Sequence, residues 1–441
     1  MTGSVVDAIR ARAEEHPDAV AWIADRGDGR SEAGCYAELL QRVDAVATDL
    51  VSAGIGPGER WGLIAPQGEG FIEHALAILV GKACLVPIPE DTAGPALEAF
   101  AERARLHGLV RLGRDGSHEM AARKAPGALD GQGDEAFRAL HPAYLRFTSG
   151  TTHRRKGVIL GHARILERLA AANRGLGIGP GDRILWLLPM AHHFVVSILL
   201  YLRFAGEQQL PAVRLAISTA EGLRSEIAER FRMRFGLPLR QALGIIEVGL
   251  PVIDLADPKP GALGQPLPDY DVWLRMDDGT ALNESSPERT GEICIRGPGL
   301  FDAYLEPWML SAKLLEPDGF RTGDQGFFDS EGRLYLAGRR ANRINMAGMK
   351  FFSEEVEAVL DQLPGVRRSR VSAQAHPHLG EIPVAELELE KGADAPDRKA
   401  LMAHCRQHLS TYKVPRKFEI VDSLPLTATG KLERASESRG E

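Results

Sequence analysis

The chain has 441 residues, 44% of them hydrophobic and 26% charged, with a formal net charge of -7. That balance fits about three folded domains or subdomains and offers no basic surplus for nucleic acid. Four cysteines (Cys35, Cys84, Cys294, Cys405) stand far apart with no C-x-x-C pair, which argues against a disulfide framework or a zinc site and fits a reducing cytoplasm.

Near the start, Val5, Val6 and Ile9 are interrupted by Asp7 and Arg10, which is not the pattern of a signal peptide. Tyr36, Leu39, Leu40, Val43 and Leu50 recur near helical spacing, and Gly54 is placed to end that helix. Gly56-Pro57-Gly58 reads as a turn, Trp61–Ala65 as a short buried strand, Phe71–Val80 as a helix and Cys84–Pro87 as a strand. This alternation predicts an α/β architecture with largely parallel sheets. Residues 114–135, rich in Gly, Ala and charge, read as a connection before a strand at Tyr144–Phe147.

Ile184 to Leu202 is nearly all apolar and about the length of a bilayer span. Pro189, His192 and His193 sit in its middle, so it reads instead as a buried strand, a turn at Pro189 and a buried helix, with no membrane span. Val213–Ile217 reads as the next strand. Further on, Val272–Met276 and Glu292–Arg296 are short strands of a smaller β subdomain, with Asp277-Asp278-Gly279 as a hairpin turn. After about residue 340 a compact α+β unit begins. Ser353 is placed to cap a helix carrying Val356, Val359, Leu360 and Leu363, Val384–Glu390 alternates like a half-exposed strand, and Asp397 caps a helix through about Leu409. His376-Pro377-His378 reads as a loop, not a metal site.

The strongest chemical signal is Thr148-Ser149-Gly150-Thr151-Thr152-His153-Arg154-Arg155-Lys156-Gly157. It follows a predicted strand, the usual seat of a phosphate loop. Hydroxyls and backbone N–H groups bond phosphate oxygens, glycine lets the backbone approach, and lysine adds charge. It lacks the Walker spacing.

This loop resembles the signature loop of the adenylate-forming superfamily: acyl-CoA synthetases, aryl-acid activating enzymes and peptide-synthetase adenylation domains. Four more segments resemble that family's motifs in order. Leu243-Gly244-Ile245-Ile246-Glu247 matches the adenine and α-phosphate motif, and Arg321-Thr322-Gly323-Asp324 the ribose motif. Gly338-Arg339 matches the interdomain hinge, and Pro425-Leu426-Thr427-Ala428-Thr429-Gly430-Lys431 the catalytic-lysine motif. Taken singly, Glu247 reads as a surface or capping glutamate and Lys431 as a solvated lysine, while Asp324 reads equally as a turn residue.

The resemblance implies a fold and a division of labour. A large N-terminal domain of layered α/β subdomains plus a β subdomain (residues 1–340) holds ATP and the acid, and a small mobile α+β domain (341–441) carries the catalytic lysine. It implies that Thr148, Ser149, Gly150, Thr151, Thr152 and Lys156 bind phosphates. Ala220, Glu221, Gly244 and Ile246 flank adenine, Asp324 and Arg339 hold ribose, and Glu247 holds Mg²⁺. His192, His193, Phe194 and Gly244 line the acyl pocket, with His192 beside the substrate carboxylate. Lys431 bridges carboxylate and phosphate oxygens as charge concentrates between them. Asn345-Met346-Ala347-Gly348-Met349-Lys350 resembles the loop beside the pantetheine tunnel, Ser218-Thr219-Ala220-Glu221-Gly222 the loop that flanks adenine, and Gly264-Gln265-Pro266 a structural turn.

The implied reaction is ATP-dependent activation of a carboxylic acid, small or aromatic, with release of pyrophosphate. The acyl group then passes to the thiol of CoA or of an acyl carrier protein's phosphopantetheine. Transfer to an amine or hydroxyl in natural-product (secondary) metabolism is an alternative, and a nucleotide-binding pseudoenzyme another. Three departures stand out. Leu243 and Ile246 replace the family's aromatic and threonine, Ala341 replaces the hinge Asp or Lys, and Phe204–Pro211 is a short connection.

Overall fold

The computed structural model describes residues 3–25, 31–123, 129, 133–148, 156–179, 182, 184, 213–219, 223, 225–256, 258–315, 319–426 and 432–434. Two eight-stranded sheets dominate. The first runs in the order Met309–Leu310, Ala303–Tyr304, Gly157–Gly161, Pro142–Phe147, Cys84–Ile88, Arg60–Ile64, Gly108–Leu112, His118–Ala122. The second runs Asp271–Arg275, Gly291–Arg296, Phe320–Phe328, Leu334–Arg339, Ala262–Pro266, Gly249–Ile253, Leu239–Ile245, Ala216–Ser218.

The expectation of largely parallel sheets holds only at the centre of the first. Strands Pro142–Phe147, Cys84–Ile88, Arg60–Ile64 and Gly108–Leu112 are parallel neighbours, while its outer pairings are antiparallel. In the second sheet only Leu239–Ile245 and Ala216–Ser218 pair in parallel. The reason is connection length. Residues 148–156 alone join Pro142–Phe147 to Gly157–Gly161, too few for the crossover a parallel pair requires.

Helices fill the space between the sheets. Tyr36–Ser52 buries Leu39, Val43, Ala47 and Leu50 at the expected spacing, and Gly54 (φ 111°) turns the chain so that Ile55 N–H bonds Leu50 O at 3.1 Å. His162–Leu176 buries Ile165, Ala171 and Leu176 in one apolar core that reaches from Leu85 and Tyr144 of the first sheet to Val252 and Ile293 of the second. Gly94–Arg103 and Gly133–Ala139 cover the opposite face of the first sheet with Leu97, Ala101 and Phe137 over Ile64, Val86 and Leu145. The connection expected over 114–135 therefore carries structure: its strand His118–Ala122 pairs with Gly108–Leu112.

The C-terminal unit has its own core, in which Val356, Leu360, Leu401 and Cys405 pack on Val371, Ala385 and Leu387. Asp397 caps helix Arg398–His408 as expected. Ser353 does not cap its helix. It is the first helical residue and is buried, and Glu355 instead accepts the Phe352 N–H at 2.8 Å. Hairpin Arg343–Met346 and Met349–Phe352 turns at Ala347 and Gly348, both at positive φ, as a two-residue hairpin turn requires. Among the described residues no helix is long and apolar enough to cross a membrane.

The Gly264-Gln265-Pro266 turn proves to be part of strand Ala262–Pro266, with a register shift beside Gly264. Gly264 has φ 105°, and a Cβ there would lie 2.0 Å from Asp254 N and Ile253 C. Gly264→Ala is expected to cost about 2–4 kcal/mol, from left-handed backbone strain plus overpacking. Urea denaturation measures it, and a change below about 0.5 kcal/mol would contradict this packing.

Candidate active site

Strand Pro142–Phe147 delivers Thr148 to the point where the candidate phosphate loop begins. Thr148 N–H bonds Lys156 O at 3.0 Å, and Lys156 N–H bonds Thr148 Oγ1 at 3.3 Å. These two bonds close the base of the loop. Ser149, Gly150, Thr151 and Thr152 lie outside the described residues, as do His192, His193, Phe194, Ala220, Glu221 and Lys431.

Lys156 leads directly to Glu247. Its ammonium sits 4.6 Å from the centre of the Tyr304 ring, and the Tyr304 hydroxyl donates to Glu247 Oε1 at 3.0 Å. Tyr304 belongs to the short strand Ala303–Tyr304, which pairs with Gly157–Gly161 immediately after Lys156. One strand pairing thus aligns the lysine of the phosphate loop with the candidate metal carboxylate. Glu247 is buried, which pushes its carboxyl pKa up, opposed by the Tyr304 hydrogen bond and the charges of Arg168 and Lys156. Burial also pushes the Tyr304 phenol up, with the Glu247 charge adding to it. Tyr304 therefore stays a donor.

Arg168 fixes the backbone behind this pair. Its guanidinium, buried on helix His162–Leu176, donates to Gly299 O, to Ile246 O at 2.7 Å and to Glu247 O at 2.7 Å. Burial lowers its pKa to about 10, which leaves it charged at neutral pH. Phe301 N–H takes Glu247 O as well, at 2.8 Å. The turn after strand Leu239–Ile245 is held in this way from two sides, with Gly244 facing Thr219. Leu243 is buried and Ile246 half-buried, so the aromatic and hydroxyl side chains of the related motif are replaced by aliphatic packing.

The structure also unites Asp324 and Arg339. They are register partners in strands Phe320–Phe328 and Leu334–Arg339, with Arg339 Nε 3.1 Å from Asp324 Oδ1. Asp324 is buried and Arg339 half-exposed, so the carboxylate is held by a cation that still faces solvent. Beyond them Arg340 and Arg343 form ion pairs with Asp277 at 3.8 and 3.1 Å, and Arg340 also approaches Glu292 at 3.4 Å. The expected hairpin-turn residue Asp277 thus contacts the segment around Ala341. His376 and His378 sit 6.2 Å apart ring to ring.

Sequence reasoning missed Tyr304 and Arg168. Arg168 had a signal: a charged residue between Ile165 and Ala171 on a buried helical face calls for buried acceptors. Tyr304 had none, because its partner is 57 residues away.

Among the described residues no three His, Cys, Asp or Glu side chains converge as a ready-made metal site. A single buried carboxylate beside a candidate phosphate loop fits Mg²⁺, which keeps most of its shell for water and phosphate oxygens.

The family model for AMP-binding enzymes matches residues 9–208 and 198–305, and that for the AMP-binding enzyme C-terminal domain matches 355–431. The chain is 28% identical to a 2-succinylbenzoate–CoA ligase of Geobacillus kaustophilus over 92% of this chain and 93% of that one. It is 26% identical to a sulfoacetate–CoA ligase of Cupriavidus necator, over 84% and 76%. The o-succinylbenzoate CoA synthetase of Bacillus subtilis, solved with its acyl-adenylate intermediate, shares the fold with TM-score 0.80 at 21% identity, over 98% of both chains. The same protein with ATP and magnesium matches with TM-score 0.78 at 22% identity, over 97% of this chain and 98% of that one.

Proposed function

The chain belongs to the AMP-binding enzyme family, and on that premise we propose that it activates a small or aromatic carboxylic acid with ATP and passes the acyl group to the thiol of CoA or a carrier-protein phosphopantetheine. The observation that carries this reading is the Lys156–Tyr304–Glu247 cluster at the mouth of the phosphate loop. It gathers a phosphate-binding cation and a buried carboxylate within one hydroxyl bridge. The CoA ligases among the relatives support CoA as acceptor.

In the first step a carboxylate oxygen attacks the α-phosphorus. The acyl–oxygen–phosphorus link forms, the bond to the β-phosphate breaks, and its electron pair leaves with pyrophosphate. Two anions must meet, so positioning and cations supply the rate enhancement. Thr148, the loop Ser149–Thr152 and Lys156 hold the phosphates. Magnesium on Glu247, when bound, neutralises charge on the polyphosphate. Asp324 accepts ribose hydroxyls, with Arg339 beside it. Gly244 and Ile246, with Ala220 and Glu221, bound the adenine. His192 meets the acid's carboxylate, with His193 and Phe194 lining its body, and Lys431 bridges the reacting oxygens. In the second step the thiol sulfur attacks the acyl carbon, AMP departs and the thiol proton is lost. We place the boundary between the ATP-binding domain and the lysine-bearing domain at residues 340 and 341, beside the Asp277 ion cluster.

ATP–pyrophosphate exchange against aryl, short-chain and long-chain acids tests the reading. Acid-dependent exchange is expected, and its loss in Lys431→Ala assigns the lysine. A folded protein that binds ATP but exchanges with none of these acids would overturn it.

A further inference from the structure

We infer that Arg146 selects acids that carry a second anionic group, a carboxylate or sulfonate besides the carboxylate activated, by pairing with that group; the inference rests on the acid-activating function proposed above. Arg146 belongs to strand Pro142–Phe147 and stands two residues before Thr148. Side chains alternate along a strand. Leu145 and Phe147 pack on the face that holds Val86 and Ile88. Tyr144 packs on the other face, in the core between the two sheets, and Arg146 follows it on that face. Arg146 is the register partner of Val158, and Val158 is in turn the register partner of Tyr304. Paired residues present their side chains on one face. Arg146, Val158 and Tyr304 therefore form one row across three strands, and Tyr304 carries the hydroxyl that holds Glu247.

The separations are short. Adjacent strands lie about 4.8 Å apart, which puts the Arg146 Cα about 10 Å from that of Tyr304, and two residues of strand put it about 7 Å from that of Thr148. A side chain of arginine's length spans much of either gap. Its charge stands beside the start of the candidate phosphate loop and the Lys156–Tyr304–Glu247 cluster.

What marks Arg146 is the lack of an answering charge. It is half-buried, and among the described residues no carboxylate pairs with its guanidinium and no side-chain hydrogen bond engages it. Burial pushes its pKa down, opposed only by the Tyr144 phenol. The arginines on the neighbouring helix His162–Leu176 are answered: Arg168 donates to three carbonyls, and Arg164 pairs with Glu167 and Asp302. A desolvated cation without a partner is costly, and a ligand that brings the anion relieves that cost. A guanidinium takes an oxyanion through two parallel hydrogen bonds, which fix distance and direction together. Position decides which anion this is. The oxygen that attacks the α-phosphorus must meet the phosphates, and these lie on the loop that begins at Thr148. Arg146 lies on the strand side of Thr148, one step back from the loop. An acid whose reacting carboxylate is at the loop therefore presents its other end to Arg146.

The test is ATP–pyrophosphate exchange by the full chain with glutarate and phthalate, each beside its monomethyl ester, which keeps one carboxylate and masks the other. Wild type, Arg146→Met and Arg146→Lys are compared by kcat/KM for each acid, and the KM for ATP is measured in all three. Wild type is expected to favour the diacids over their esters by about 10–100-fold, the effect of one partly desolvated charge pair. Arg146→Met removes or inverts that ratio, chiefly through the KM for the diacid, because the pair forms in the bound acid and persists in the transition state. Arg146→Lys keeps a charge without the fork and restores part of the ratio. A wild type that exchanges with the esters or with other monoacids as well as with the diacids overturns the inference alone. A diacid preference that survives Arg146→Met overturns it too, and a raised KM for ATP in that variant would then make the arginine a nucleotide ligand. Exchange with no acid at all overturns the proposed function and the inference with it. Should Arg146→Met fail to fold, Arg146→Gln, which removes the charge and keeps a polar head, decides by the same ratio.

Discussion

Arg168→Met is expected to lower the stability of the N-terminal domain by about 3–5 kcal/mol, because it strips three carbonyls, two of them in fully buried contacts, of a charged donor at once. Gly299 O, Ile246 O and Glu247 O all accept from this guanidinium. Methionine fills much of the volume but donates nothing. Glu247 O keeps the Phe301 N–H, so two carbonyls bear most of the penalty. Arg168→Lys retains the charge yet lacks the planar fork that meets three carbonyls in different directions, and should recover only part of the loss. Guanidinium denaturation of the three proteins measures the order. A second consequence is local. The carbonyl of Glu247 is one of the three, so the candidate magnesium carboxylate loses its backbone support. Surviving Arg168→Met protein should therefore bind ATP·Mg²⁺ more weakly at temperatures where it is fully folded. Stability within about 1 kcal/mol of wild type would show that the arginine is replaceable there.

How far this was legible follows from the range of each interaction. Helix Tyr36–Ser52, the Asp397 cap and each motif taken alone rest on local spacing, and sequence carries such signals. Strand direction does not work this way. The segments on either side of the phosphate loop read as strands, but whether they pair directly depends on a loop whose length alone decides between hairpin and crossover. Ser353 illustrates the opposite error. A serine before an acidic, apolar-periodic run is a fair cap signal, yet Phe352 holds that position and Arg434, 81 residues on, claims the hydroxyl. The Asp324–Arg339 pair was named residue by residue, since both lie in motifs. Its register, and the bridge from Lys156 through Tyr304 to Glu247, depend on strand pairings that join distant segments.

Glu247→Gln is expected to move stability and activity in opposite directions. Exchange should fall about 100–1,000-fold, the size of effect seen when a preorganised electrostatic group is removed. Stability at neutral pH should instead rise. Glu247 is buried, and burial raises its folded-state pKa above the ordinary glutamate range. Wild type therefore loses stability as pH climbs through that raised value, because the folded state must then carry a poorly solvated charge that the unfolded chain carries freely. Glutamine has the same shape, can still accept the Tyr304 hydroxyl and has no proton to lose. Its advantage is full above the raised pKa. It fades as pH falls through the ordinary glutamate range, where wild type is protonated in both states. Melting midpoints of the two proteins across that pH span test the sign, taken first without and then with ATP·Mg²⁺. Nucleotide and metal should reverse the order, since the charge that is a liability in the empty protein is the ligand of the loaded one. A variant less stable than wild type at neutral pH without ligand would mean that Lys156 and Arg168 already neutralise Glu247, leaving it a structural ion rather than a waiting metal ligand.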